Sequence, residues 1–166
     1  NKGYRVDKRA LKDYVAAYKT QRDNYFDRLE QASDKDKEVL QNIISVLDTL
    51  IPVRAKLDEL RGQVSLFEDG QGQEERAELD VIEQEYATAT AKLGAAKRAF
   101  RNQALADENG KIDQAIEKAT PVGKIYFKYR KIFNDIVAST DIFKSRQKKA
   151  ARQIVKFLEA SIRTEE

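Results

Sequence analysis

The sequence predicts an all-α fold: an up-and-down bundle of four long helices plus one short helix, with a proline-kinked second helix. Three observations carry that prediction. Apolar residues recur at spacings of three and four along most of the chain, the period of one helical face. Only two prolines and seven glycines punctuate 166 residues, too few for a protein of many short strands and turns. Apolar residues make up 41% and charged residues 36%, the mix of a narrow core under a broad surface. The length suits one domain, so residues 1–166 are read as a single helical bundle.

The first helix is expected from about Asp7 to Ala32, on a stripe of Leu11, Tyr14/Val15, Tyr18, Tyr25/Phe26 and Leu29. Ser33 and Asp34 then offer side-chain oxygens to the free N–H groups of a new helix start. The second helix is expected from about Lys35 to Phe67, with Leu40, Ile43/Ile44, Leu47, Leu50/Ile51, Leu57, Leu60 and Val64 inward. Pro52 lies inside it and lacks the N–H of the helical ladder, so a kink or short break is expected near Leu50–Ile51.

After the polar segment Glu68–Gln73, a third helix is expected from Glu74 to Ala106. Leu79, Ile82, Tyr86, Ala89, Leu93, Ala96 and Phe100 form a coiled-coil-like heptad seam along it. Glu74, Glu75 and Glu78 at its start and Lys97, Arg98 and Arg101 near its end complement the helix dipole. Asp107-Glu108-Asn109-Gly110 reads as a turn, followed by a short helix over Lys111–Ala119. Thr120-Pro121 then places an N-cap before a proline at the first helical position. From there one stripe of Val122, Tyr126, Tyr129, Phe133, Ile136, Phe143, Ala150, Ile154 and Phe157 runs to about Arg163. Ser139-Thr140-Asp141 is where that last helix would break.

Composition removes whole classes of chemistry. The chain has no His, Cys, Met or Trp. Imidazole bases, thiolate nucleophiles, disulfides and the Glu-x-x-His ligands of di-iron bundles are therefore absent. Ser45, Ser65, Ser139, Ser145 and Ser161 stand in no nucleophile motif, and no phosphate-binding glycine loop occurs. Asp107–Asp113 has a superficial likeness to a calcium loop. With Gly110 at the sixth position, however, Leu105 and Ile116 fall where oxygen ligands are required. Neither enzymatic activity nor a cofactor or metal site is expected.

Interaction surfaces are what remain. Residues 111–166 hold 13 Lys/Arg against seven Asp/Glu, a mild basic tilt rather than a nucleic-acid signature. Ile125, Tyr126, Tyr129, Ile132 and Phe133 fall on the core stripe, whereas Phe127 points away from it, among Lys124, Lys128, Arg130 and Lys131. It is expected to lie under the short helix 111–119 or else to stand as an exposed aromatic. Lys144, Lys148, Arg152 and Lys156 recur every four residues and draw one basic stripe.

The function expected from these features is a non-enzymatic interaction or structural protein with an unidentified protein partner, monomeric rather than a coiled-coil dimer. The alternative is a peripheral binder of anionic lipid or nucleic acid through the basic C-terminal helix, lipid being the stronger of the two. A start at Asn1 and the lack of cysteine suggest an extracytoplasmic setting: periplasmic, cell-surface or secreted.

Overall fold

The computed structural model describes residues 13–139 and 145–165 of the chain. Among them are five α-helices, one 3-10 turn and no strand. These are α1 (Tyr14–Gln31), α2 (Asp34–Val64), α3 (Gln73–Ala115), the turn Ile116–Lys118, α4 (Pro121–Ala138) and α5 (Ser145–Glu165). The expected start of the first helix at Asp7 lies outside the described residues, as do Thr140, Asp141, Phe143 and Lys144. No described helix is long and apolar enough to cross a membrane. By its contacts the chain divides into two compact units, Asn1–Lys97 and Arg98–Glu166.

The first unit is built around α2. Leu40, Ile43, Leu47, Leu50, Leu57 and Leu60 are almost wholly excluded from solvent, with Ile44 and Ile51 beside them. α1 and α2 are joined only by Ala32 and Ser33, and the Ser33 hydroxyl accepts from Asp36 N–H to start α2. So short a link forces an antiparallel pair, and Arg22 on α1 reaches Asp48 on α2 at 3.3 Å. α1 has no fully buried residue; it covers the core with half-buried Tyr14, Val15, Tyr18, Tyr25 and Leu29, while Phe26 stays exposed.

α3 returns after a turn in which Gly70 and Gly72 adopt positive φ. A side chain at Gly72 would run into the Phe67 ring, so glycine is required there on two counts. Ala89, Leu93 and Ala96 of the heptad seam are buried, and Leu79, Ile82 and Tyr86 are half-buried. Lys56–Glu78 at 3.6 Å and Arg61–Glu83 at 3.4 Å fasten α3 to α2 at the surface.

Pro52 does not interrupt α2, which runs unbroken from Asp34 to Val64. The carbonyl that loses its partner is that of Asp48, four residues back. Pro52 and Asp48 are both exposed. Water can satisfy the orphaned oxygen, so no break is needed.

The second unit corrects the expected turn at Asp107–Gly110. Those residues are helical, and α3 continues to Ala115 with Ile112 buried. Gly110 costs a helix interior about 1 kcal/mol. Contacts made by its neighbours with α4 offset that cost: Glu108 pairs with Arg130 at 2.6 Å, Asp113 with Lys131 at 2.5 Å, and Asn109 bonds Asn134 at 2.8 Å. The expected short helix 111–119 is thus the end of α3 followed by the 3-10 turn.

Thr120 and Pro121 start α4 as expected, with the Thr120 hydroxyl accepting from Gly123 N–H at 3.1 Å. The last stretch is two helices rather than one. Ala138 ends α4 and α5 begins at Ser145. α4 and α5 pack on each other, and Tyr126 O–H donates to Glu159 at 3.3 Å.

The break resets the helical phase. The buried stripe of α5 is Ala151, Val155 and Leu158. Ala150, Ile154 and Phe157, expected inward on an unbroken helix, are exposed, Phe157 by 72%.

Candidate interaction surfaces

On α4, Ile125, Lys128, Ile132 and Asp135 follow steps of three, four and three, so they share one helical face. That face and Ile116 of the 3-10 turn line a groove of about 570 Å³ within the second unit. Its floor is apolar, and Ile125 and Ile132 remain 48% and 39% exposed. Lys124, Lys128 and Lys131 stand on its rim. Lys131 is already held by Asp113, whereas Lys124 and Lys128 make no ion pair among the described residues.

The exposures of the two isoleucines reverse the sequence expectation, whereas that of Phe127 does not. Ile125 and Ile132 were expected in the core but face solvent, while Phe127 is half-buried with its ring 5.4 Å from that of Tyr126. The reason lies in where the core line of α4 falls. Its fully buried positions are Gly123 and Asn134, flanked by half-buried Tyr126, Arg130, Phe133 and Val137. An apolar tally cannot find a line centred on a glycine and an asparagine. Ile116, in the segment 111–119 expected to cover Phe127, lines the groove together with Ile125.

The remaining basic candidates lie on α5. Lys148 is half-buried, while Arg152 and Lys156 are exposed. The Arg152 guanidinium sits 6.0 Å from the Phe133 ring centre, so part of its charge is directed at α4. Lys144 lies outside the described residues. Lys124, Lys128 and Lys131 therefore share one groove, and Arg152 and Lys156 belong to a separate helix face.

Arg130, between these faces, is occupied structurally. Its hydrogen bond to Glu108 holds the guanidinium pKa above its ordinary value against the opposing effect of burial. Burial, followed by the charge of Glu159, raises Tyr126 above the usual phenol range.

The first unit has a groove of about 560 Å³ between α2 and α3, with Val46, Val53, Val81 and Ala89 along it and Glu85 and Lys92 among its lining residues. Its most unusual chemistry is internal. The Arg54 guanidinium lies 4.2 Å from the centre of the Tyr14 ring and 5.0 Å from that of Tyr86. Beside it, the Tyr18 and Tyr86 hydroxyls are 2.7 Å apart. Burial first, and then this hydrogen bond, raise the Tyr18 pKa well above that of a free phenol.

Ionising Tyr18 therefore opposes folding. The stabilisation is complete below the ordinary phenol pKa of about 10 and is lost as pH rises beyond it toward the elevated value. Tyr18→Phe removes the titrating group, so its stability should fall less steeply above pH ~10 than that of the parent chain. Urea midpoints measured across that range check this. Parallel alkaline slopes would assign the loss to other groups.

Among the described residues, no three Asp/Glu side chains gather as a metal site. No protein family, curated protein or solved structure matches the chain.

Proposed function

We propose that this chain is a non-enzymatic helical-bundle interaction protein that receives an acidic amphipathic segment of a partner protein in the α4 groove. The observation that carries this reading is that exposed Ile125 and Ile132 lie beside Lys124 and Lys128, which make no ion pair among the described residues. Burying a fully exposed isoleucine gains about 1.5–3 kcal/mol, so completing the burial of these half-exposed side chains would gain roughly half of that each. Their one-face spacing suits a helix whose apolar anchors recur every three or four residues. Aspartate or glutamate beside those anchors would meet the two lysines. The lack of histidine and cysteine supports the non-enzymatic half of the proposal. A location outside the cytoplasm belongs to the same proposal, and fractionation of the source cells tests it.

A photo-crosslinking residue in place of Ile125, in the cells that make this protein, tests the groove. The expected result is one protein adduct that Ile132→Glu abolishes and that Lys124→Glu with Lys128→Glu weakens at least tenfold, at about 1 kcal/mol or a little less for each lysine lost and each repulsion gained. Adducts that persist in all these variants, or that form only with lipid, overturn the reading. Circular dichroism separates loss of binding from loss of fold.

A further inference from the structure

The outward face of α5 is a second, chemically different surface. At 100° per residue, Phe157 shares that face with Arg146, Gln153 and Ala160, and Lys149 and Lys156 lie beside them. All six are exposed, Phe157 by 72% and Ile154, at its flank, by 38%. Arg163 extends the basic side of the same face. Between Arg146 and Arg163 α5 carries one acidic residue, and it does not belong to this face. Glu159 is turned toward Tyr126 on α4. Over five turns this surface offers arginine, lysine, phenylalanine and isoleucine with no carboxylate, in a chain whose total charges are nearly balanced at 31 basic and 28 acidic.

We propose that α5 docks the protein on an anionic lipid surface, with Phe157 and Ile154 entering the headgroup boundary and Arg146, Lys149 and Lys156 meeting lipid phosphates. Charge complementarity selects an anionic partner, and the apolar side chains select lipid over nucleic acid. Phosphate backbones have no use for Ile154, and single-stranded nucleic acid requires a series of stacking rings where α5 presents one. A bilayer boundary uses both features together. Apolar side chains are buried in the acyl margin while cations remain at headgroup level. The other face of α5 is committed to α4 through Ala151, Val155 and Leu158, so docking requires no unfolding. This proposal stands independently of the α4 groove, whose residues it does not use.

The test is flotation of the full chain with phosphatidylcholine vesicles, plain or doped with phosphatidylserine. Binding is expected only to the doped vesicles, weakening as salt rises. Each cation removed should cost roughly fivefold, so Lys149→Glu with Lys156→Glu should lower partitioning about 25-fold or more. Phe157→Ser should weaken binding about tenfold while leaving the salt dependence in place. Because the chain contains no tryptophan, Phe157→Trp gives a single reporter, whose emission should shift to the blue on docking and be quenched by brominated lipid. Absence of binding to doped vesicles overturns the proposal. So does binding unchanged by charge reversal, an unshifted reporter, or preferential binding to an oligonucleotide that Phe157→Ser leaves intact.

Discussion

Arg54→Ala is expected to destabilise the chain by about 2–4 kcal/mol, a large share of the stability of an ordinary domain. The Arg54 side chain is only 12% exposed and lies against the rings of Tyr14 and Tyr86, which come from the helices on either side of α2. Two desolvated cation–π contacts account for about 1–2 kcal/mol each, and the aliphatic stem adds packing that alanine cannot replace. Asp58 Oδ1 lies 3.0 Å from Nε, but the geometry is that of an ion pair rather than a directed hydrogen bond. The rings are therefore the principal partners.

Arg54→Lys separates the contributions. An ammonium keeps the charge but cannot lay a plane against two rings, so it should recover less than half of the loss. Urea unfolding of the three proteins decides the matter. If Arg54→Lys matched the parent, charge alone would be responsible.

The helical class, the α1–α2 break at Ser33 and the Thr120-Pro121 start were legible because caps and apolar period act within a few residues of chain. The buried series from Leu40 to Leu60 was legible for the same reason: a dense, uniformly apolar stripe leaves one inward orientation. Asp107–Gly110 misled because its turn propensity is local, whereas the contacts that keep it helical come from Arg130, Lys131 and Asn134, some twenty residues away.

The surface candidates suffered from phase. Extending one helix across residues 139–144 rotated the inferred face of α5 by about one residue, some 100°. Ile154 and Phe157 then took the inward places that belong to Val155 and Leu158. On α4 the core line runs through an asparagine, so counting apolar residues shifted it toward Ile125 and Ile132. The lysines of the groove were visible in the sequence, but the isoleucines that make it a groove were not.

That asparagine is the site of the other large expected effect. Asn134 is 1% exposed, donates through Nδ2 to Asn109 Oδ1 at 2.8 Å, and leaves its own Oδ1 buried without a partner among the described residues. Asn134→Asp replaces the donor by a carboxylate oxygen facing another acceptor, with no cation bonded to it. An uncompensated buried charge costs about 3–5 kcal/mol at neutral pH. Burial would raise the new carboxyl above the ordinary value of about 3.9. The protonated form, whose O–H can again donate to Asn109, would be the one compatible with folding. Its stabilisation is present below the unfolded-state value and disappears as pH rises through the raised one. The gap between variant and parent should therefore narrow on acidification. Asn134→Leu should act in the opposite direction. It removes an orphaned acceptor that costs about 1–3 kcal/mol and fills the site with apolar volume, so a net gain of about 1–2 kcal/mol is expected despite the bond lost to half-exposed Asn109. If that variant is instead less stable in urea, the Asn109–Asn134 bond outweighs its unsatisfied oxygen. Amide exchange along α3 and α4 then shows what the polar pair contributes. Faster exchange in Asn134→Leu, despite higher global stability, would mean that the asparagines fix the register of the two helices at a cost in stability.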